Sequence, residues 1–176
     1  GIKTEDYAEE FDLIVVGGGM AGIGAAVTAL LKNLKTLLIH ERNVLGGCNS
    51  SEIRVPLGGG INTPPYENLG NIIGQVGTIF HDTEIRDASY SEDARKRHVF
   101  ERFSPELCRV ALNESVIQVE RDKNNDNQIA AVIAKNTITG KELRYRGKLF
   151  ADCTGNGQLA LAMGADAAYL ISDPKF

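Results

Sequence analysis

The fold of this chain is decided by the stretch Leu13-Ile14-Val15-Val16-Gly17-Gly18-Gly19-Met20-Ala21-Gly22. Four apolar residues, two of them valines, predict a buried parallel strand, and the glycines follow this strand at once. Residues 21–31 are apolar almost all round, which predicts a buried helix. Residues 36–39 predict a second buried strand. The segment is therefore expected to form a strand, glycine turn, helix and strand, which is a βαβ unit.

The glycines of the turn fit the spacing G-x-G-x-x-G. Gly17 permits the tight turn, Gly19 lets the backbone approach a pyrophosphate, and Gly22 lets the helix pack against the strand. Backbone N–H groups at the helix start, which include those of Met20 and Ala21, favour an anion. Glycines also mark ordinary turns between strands and helices. The position of this motif between a predicted strand and a predicted helix favours the binding of a dinucleotide.

An acidic residue follows the second predicted strand. Glu41 lies nineteen residues after Gly22, and a carboxylate at this spacing accepts hydrogen bonds from ribose hydroxyls. Its negative charge also disfavours the 2′-phosphate of NADP. His40 is adjacent, so the register of the ribose contact is open by one residue. Both side chains could also simply solvate the end of the strand, but the spacing favours Glu41.

The rest of the chain predicts a second glycine turn behind an antiparallel meander. Residues 1–10 are polar and are expected to be a loosely held lead-in, and residues 44–77 an ordered functional loop. Residues 89–92 form a capping box that opens a helix to about Phe103. Within residues 115–147, turn-rich segments separate three strands, which predicts the meander. Further strands are predicted at 108–112 and 149–152, and a short helix at 158–163.

Composition limits the classes of partner. The chain has 176 residues, a net charge of −4 and no Trp, so one domain is expected and nucleic acid is disfavoured. No segment is apolar for long enough to predict a membrane span. Three scattered cysteines favour a reducing compartment, which would be the cytoplasm. The chain starts with Gly1 rather than Met, so a removed leader stays open.

A second glycine pair lies directly after the candidate ribose acid, in Glu41-Arg42-Asn43-Val44-Leu45-Gly46-Gly47. Late in the chain stands Phe150-Ala151-Asp152-Cys153-Thr154-Gly155-Asn156-Gly157. With the meander, these segments resemble the FAD-dependent oxidoreductases of the glutathione-reductase-like superfamily, over roughly residues 11–165. The sequence departs from the family at Asn156, where an Asp is usual.

This resemblance implies an α/β fold, with a Rossmann-like parallel sheet and an antiparallel three-stranded meander. It also implies FAD as cofactor and an oxidoreductase activity of the whole protein. In the family, a substrate-binding region and a further flavin-binding segment follow the late glycine turn. Residues 1–176 are therefore expected to be a fragment of a longer protein, one that holds FAD poorly, with the substrate and oligomeric state open.

The resemblance also implies a set of cofactor contacts. The first glycine turn would hold the pyrophosphate, Glu41 the adenine-side ribose, and Arg42 would flank the adenine. The second glycine segment would line the pyrophosphate and approach the flavin. Val116 would meet the adenine through its backbone, although a valine in a strand is equally often a core residue. The residues in this set are Gly17, Gly19, Met20, Ala21, Gly22, Glu41, Arg42, Gly46, Gly47, Asn49, Ser50, Val116, Thr154 and Gly155. No catalytic residue and no metal ligand is predicted.

Three further features are expected to be structural. In disulfide reductases of the superfamily a cysteine near Cys48 pairs with another five residues on, but that position is Ile53, so Cys48 is expected to be a small buried residue. Glu52 and Arg54 could face a substrate, but the preferred expectation is that they pair with each other on the surface. The basic run of residues 95–97 is expected to be a solvated helix face.

Two alternatives stay open at this stage. The chain could be an NAD-binding dehydrogenase domain, in which residues 45–51 would have no cofactor to bind. It could also be a non-enzymatic nucleotide-binding or interaction module, and Asn156 is the feature that favours this alternative.

Overall fold

A computed structural model describes residues 3–55, 57, 64–65, 67–68, 71–72 and 90–166 of the chain. Ser89 of the capping box predicted at residues 89–92, and 15 of the 34 residues of the loop predicted at 44–77, lie outside these residues. The helices are α1 (Met20–Leu31), α2 (Tyr90–Glu101) and α3 (Gln158–Ala162), with one 3₁₀ turn at Gly47–Asn49. The strands are β1 (Glu5–Val16), β2 (Thr36–His40), β3 (Cys108–Leu112), β4 (Glu114–Asp122), β5 (Asn125–Asn136) and β6 (Glu142–Asp152).

The strands form one six-stranded sheet in the order β3-β2-β1-β6-β5-β4. β3, β2, β1 and β6 run parallel to one another. β5 is antiparallel to both of its neighbours, β6 and β4. A right-handed crossover through α1 is the standard way to join two such parallel strands. The predicted α/β class, with a Rossmann-like parallel sheet and an antiparallel meander, is confirmed.

Strand β6 joins the meander to the parallel sheet. The sequence predicts two separate strands, at residues 142–146 and 149–152, but Glu142–Asp152 is continuous. The first half of β6 pairs with β5 on one side, where Arg146 faces Ala131, while β6 pairs with β1 on its other side from Leu143 to Asp152. The whole strand therefore leads from the meander directly to the late glycine turn.

The expectation of a loosely held lead-in is wrong for the residues from Glu5 to Glu10. They form the first half of β1 and pair with β6 from Leu143 to Arg146. Their polarity matches exposure to solvent, because their side chains are mostly exposed and three of the acidic ones form ion pairs. Arg144, for example, lies 3.1 Å from the carboxylate of Asp6.

Two hydrophobic layers cover the two faces of the sheet. Val15 packs with Ile23 and Val27 of α1, and Phe100 of α2 joins the same cluster. On the opposite face Ile14 packs with apolar residues of the meander such as Val132 and Tyr145. Because both faces of β1 are covered, its last residues are apolar without alternation.

The local expectations for the other elements agree well with the structure. Strand β3 spans the predicted residues 108–112, and Asn33 after α1 takes the left-handed conformation, with φ of 57°. No helix in the described part of the chain has both the length and the apolar character that a membrane crossing requires. The carboxyl ends of β1, β2 and β6 meet at one edge of the sheet, which is where ligands bind in open α/β sheets.

Candidate dinucleotide-binding site

The first glycine turn is shaped by close backbone packing. Gly17 has φ of +102°, and a Cβ atom there would overlap the carbonyl oxygen of Cys153. A Cβ atom at Gly22 would overlap the carbonyl oxygen of Gly17. These two glycines are therefore needed for the turn and for helix packing, as their spacing predicts.

Gly19 is different, because no described residue requires a glycine there. Its backbone is extended, with φ of −69° and ψ of −178°, a conformation that any residue adopts. A Cβ atom built on it would meet nothing within 4 Å. The missing side chain leaves open space on the wall of a cavity, next to the first turn of α1.

The start of α1 offers unpaired donors. The N–H of Gly18 donates to Nδ1 of His40 at 3.0 Å, and the N–H of Ile23 donates to the carbonyl of Gly19 at 3.0 Å. Between them, the N–H groups of Gly19, Met20 and Ala21 have no acceptor among the described residues. Unpaired N–H groups at a helix start carry a partial positive charge and favour an anion.

These donors face a cavity of about 880 Å³ at the carboxyl edge of the sheet. Its volume falls within the roughly 300–1,000 Å³ of small-molecule and cofactor sites. The cavity brings together residues from the ends of β1, β2 and β6 and from the start of β4. Eleven of the predicted cofactor contacts line it: Gly17, Gly19, Met20, Glu41, Arg42, Gly46, Gly47, Asn49, Val116, Thr154 and Gly155.

Three predicted contacts lie outside this lining. Gly22 is buried behind the turn, and Ala21 points its side chain to solvent, so Ala21 offers only its backbone N–H. Ser50 is 1% exposed, and its hydroxyl accepts the N–H of Glu52 at 3.3 Å. Ser50 does not line the cavity, because its side chain is buried in the protein.

His40 is buried and Glu41 is exposed, and this difference bears on which of the two contacts the ribose. His40 is 8% exposed, and its Nδ1 accepts the N–H of Gly18. Burial lowers the pKa of His40, against the opposing effects of the Val44 carbonyl and Glu41, which favours the neutral ring that this bond requires. Glu41 is exposed on the cavity wall and makes no hydrogen bond or ion pair with any residue the structure describes. Glu41 is thus available to a ligand, while His40 supports the turn.

The second glycine segment, residues 46–51, is bonded to the first turn. The N–H of Gly46 donates to the carbonyl of Gly18 at 2.8 Å, and Gly19 and Gly46 form a parallel bridge. Gly46 has φ of +119° and Gly47 φ of +59°, conformations that favour glycine. Both glycine clusters therefore belong to one wall.

Helix α2 holds this segment through residues that sequence reasoning missed. The ammonium of Lys96 donates to the carbonyl of Asn49, and the carboxylate of Asp93 accepts the N–H of Ser51 at 3.0 Å. Lys96 is 0% exposed, so the expected solvated face at residues 95–97 is wrong at its middle position. Its partner lies 47 residues away in sequence, and nothing local marks the contact.

The charged residues beside the cavity pair differently from expectation. Glu52 accepts from Nε of Arg42 at 3.0 Å, rather than pairing with Arg54. Arg54 is exposed and has φ of 64°. Cys48 is exposed on the cavity wall, so the prediction that it is a small buried residue is wrong.

The late glycine turn is held together by Asp152. Its Oδ1 accepts both the N–H and the hydroxyl of Thr154, at 3.1 and 2.6 Å, and its Oδ2 accepts the N–H of Leu159 at 2.8 Å. Burial raises the pKa of Asp152, but these bonds outweigh it and lower the pKa. The hydroxyl of Thr154 is therefore hydrogen-bonded within the turn. A Cβ atom on Gly155 would meet nothing within 4 Å.

Strand β4 closes the cavity on the far side. Val116 is 4% exposed and belongs to the core, yet it also lines the cavity. Its carbonyl accepts from the side-chain amide of Gln158 at 2.9 Å. This bond ties the meander to α3 at the position predicted to meet an adenine.

This edge-of-sheet arrangement is that of a dinucleotide-binding flavoprotein domain, and the comparison with known families agrees. Residues 12–170 match the FAD dependent oxidoreductase family, and the chain belongs to that family. The match confirms that the family is one of FAD-dependent oxidoreductases, with FAD as its cofactor.

Sequence relatives match over a short part of the chain. A mitochondrial glycerol-3-phosphate dehydrogenase of Rattus norvegicus is 34% identical over 58 residues, which cover 33% of this chain and 8% of that protein. A glycerol-3-phosphate dehydrogenase of Synechocystis sp. is 45% identical over 49 residues, which cover 28% of this chain and 9% of that protein. The matched segment thus spans less than a tenth of these relatives.

Solved structures match over most of the chain and support the fold. The glycerol-3-phosphate dehydrogenase of Bacillus halodurans complexed with FAD aligns with a TM-score of 0.59 and 14% identity, over 89% of this chain and 37% of that one. THI4 of Thermovibrio ammonificans aligns with a TM-score of 0.61 and 16% identity, over 89% of this chain and 64% of that one.

Proposed function

We propose that this chain binds the ADP half of FAD in the cavity at the carboxyl edge of the sheet, as the cofactor-binding part of an oxidoreductase. The observation that carries the proposal is Gly19. Its backbone and surroundings would accept a side chain, yet it leaves open space beside the unpaired N–H groups of Met20 and Ala21. Open space next to such donors suits a pyrophosphate.

The remaining contacts follow from the cavity wall. Glu41, whose carboxylate has no partner among the described residues, would accept the hydroxyls of the adenine-side ribose. Arg42 would flank the adenine, and Val116 would meet it from β4. Gly47 and Asn49 would follow the pyrophosphate towards the flavin. The bound flavin would supply the redox chemistry, while these residues bind and orient it.

The second glycine segment favours FAD over NAD. In an NAD-binding domain, residues 45–51 would have no cofactor to bind. Here Gly46 is hydrogen-bonded to Gly18, and Gly47 lines the same cavity. This arrangement, with a three-stranded meander on the sheet, also supports the finer placement in the glutathione-reductase-like superfamily. Asn156 lines the cavity as a neutral side chain that still donates and accepts hydrogen bonds. It is therefore compatible with a bound cofactor, and the non-enzymatic alternative has no other support.

No substrate is proposed. The identity to glycerol-3-phosphate dehydrogenases is confined to 49–58 residues, a range that cannot carry a substrate-binding region as well. The proposed cofactor is FAD, and the proposed reaction class is oxidation and reduction through its flavin.

A substitution at Gly19 tests the proposal. We expect Gly19→Val in the full chain to weaken FAD binding at least about tenfold, or ~1.4 kcal/mol, because the side chain would fill the space left for the pyrophosphate. The measurement is titration calorimetry with FAD, together with the visible absorption spectrum and a melting curve. The melting temperature should stay close to that of the wild type, since a Cβ atom at this position meets no described atom.

Gly24→Val is the matched control. Gly24 lies on α1, a Cβ atom there also meets nothing within 4 Å, and Gly24 does not line the cavity. This variant should bind FAD like the wild type. Equal FAD affinity in the two variants would overturn the pyrophosphate assignment, and tighter binding of NAD than of FAD by the wild type would overturn the choice of cofactor.

A further inference from the structure

Helix α2 buries two charged side chains that lie three residues apart. Lys96 is 0% exposed and Asp93 is 4% exposed, while the neighbouring Arg95 and Arg97 are exposed. Burying a charged group costs several kcal/mol unless hydrogen bonds compensate for the lost water. Two such groups on one helix face therefore call for partners that repay this cost.

Both side chains have hydrogen-bond partners in the second glycine segment. The Lys96 ammonium donates to the carbonyl of Asn49. The Asp93 carboxylate accepts the N–H of Ser51 through Oδ1, at 3.0 Å, and the Ser51 hydroxyl through Oδ2. The stem of Lys96 also fills the space beside Gly46, where an added Cβ atom would come within 2.9 Å of its Cε atom. One side of the segment is thus contacted at three positions, Gly46, Asn49 and Ser51.

The other side of the segment forms part of the cavity. Gly46 is bonded to Gly18, and a Cβ atom on Gly47 would lie 3.3 Å from the Cα atom of Gly19. Asn49 lines the cavity, and its Oδ1 atom is buried without a hydrogen-bond partner among the described residues. Any movement of the segment would therefore change the surface that faces the pyrophosphate.

We propose that Asp93 and Lys96 are positioning residues for the cofactor, forming a buried clamp that fixes residues 46–51 against the first glycine turn. The inference rests on the proposed function, since it concerns the same cavity. The clamp acts on the pyrophosphate and flavin side of the cavity. Glu41, the candidate ribose ligand, lies outside the clamped segment. The clamp therefore favours the whole dinucleotide over its adenosine monophosphate part.

The test compares two ligands in one variant. We expect Lys96→Met in the full chain to weaken FAD binding about tenfold while AMP binding changes less than about twofold, because only FAD spans the clamped segment. Calorimetric titrations with FAD and with AMP, below the melting temperature of the variant, give both affinities. A merely structural role would lower the melting temperature and reduce both affinities by the same factor, and that result would overturn the clamp.

Arg97→Met is the matched control, because it removes one positive charge from the exposed face of the same helix. It should leave both affinities unchanged. If Lys96→Met does not fold, Ser51→Ala carries the test, since it removes one bond to Asp93 and leaves the backbone bond in place. We expect about a threefold loss for FAD alone, and unchanged FAD affinity would overturn the proposal. A wild-type full-length protein that binds no FAD would instead overturn the proposed function.

Discussion

The two glycine segments at the carboxyl edge of the sheet are held in different ways. Residues 17–22 are shaped by close backbone packing, because Gly17 packs against the carbonyl of Cys153 and Gly22 against the carbonyl of Gly17. Residues 46–51 are held by the charged side chains of Asp93 and Lys96 on another helix. Glycine spacing can encode the first geometry, because that geometry needs only the absence of side chains, whereas no local spacing identifies the side chains that hold the second segment.

The largest expected effect is the loss of the backbone packing in the first segment. Gly22→Ala should destabilise the protein by about 3 kcal/mol or more, because the added Cβ atom overlaps a backbone oxygen that has no room to move. Urea unfolding followed by circular dichroism gives the free energy of unfolding. Gly24→Ala, on the same helix with open space around it, should be stabilising by roughly 0.5–1 kcal/mol. Equal destabilisation by the two variants would contradict the account of the first segment.

A smaller effect is expected between the two segments, at Glu41. Because this carboxylate has no partner among the described residues, Glu41→Ala should leave the melting temperature unchanged. It should weaken FAD binding by about 1–3 kcal/mol, the scale of lost charge-assisted hydrogen bonds. Titration with FAD measures this loss, and Glu41→Gln, which keeps the shape of the side chain, should lose less. An unchanged affinity in Glu41→Ala would mean that another group holds the ribose.

The smallest effect concerns His40, the side chain that bonds to the first segment. Burial lowers its pKa below the unfolded value of about 6.5, while Glu41 and Glu52 oppose this and Arg42 adds to it. Below that pH the unfolded chain binds a proton that the folded chain does not bind. Stability should therefore fall as the pH drops below about 6.5, with a slope of at most about 1.4 kcal/mol per pH unit.

Urea unfolding between pH 7.5 and 5.5 measures this slope. The control is His40→Asn, whose amide oxygen can accept the N–H of Gly18 without titrating. Subtracting its pH dependence from that of the wild type isolates His40. Identical slopes in the two proteins would show that the bond between Gly18 and His40 is not linked to protonation.

Local patterns predicted the elements whose cause is local. The apolar run of β3 marked Cys108–Leu112, and Asn33 supplied the left-handed residue after α1. The glycine spacing predicted the first turn, because a side chain on Gly22 would overlap the nearby Gly17 and one on Gly17 would overlap the backbone at the end of β6. For the candidate site, the glycines and Glu41 were within reach of sequence reasoning for the same reason.

The remaining features depend on distant partners. Lys96 belongs to a basic run that resembles a solvated face, and its burial follows from a carbonyl 47 residues away. Glu52 pairs with Arg42 rather than Arg54 because the segment between them folds back. The polar first half of β1 forms a strand because β6, more than 130 residues later, offers it both hydrogen bonds and arginines. Neither hydrophobic periodicity nor spacing reports such pairings.

The pairing of β1 with β6 also sets the order in which this site can be made. Val16 and Asp152 are neighbours in the centre of the sheet although 136 residues separate them, and the N–H of Cys153 closes the seam on the carbonyl of Val16 at 2.8 Å. At a synthesis rate of about 5–20 residues per second, the second strand leaves the ribosome roughly 7–27 s after the first. During this interval the nascent chain carries the complete glycine motif without the wall against which Gly17 packs. The cofactor cavity is therefore completed only after β6 has been synthesised, and until then one edge of β1 stays unpaired.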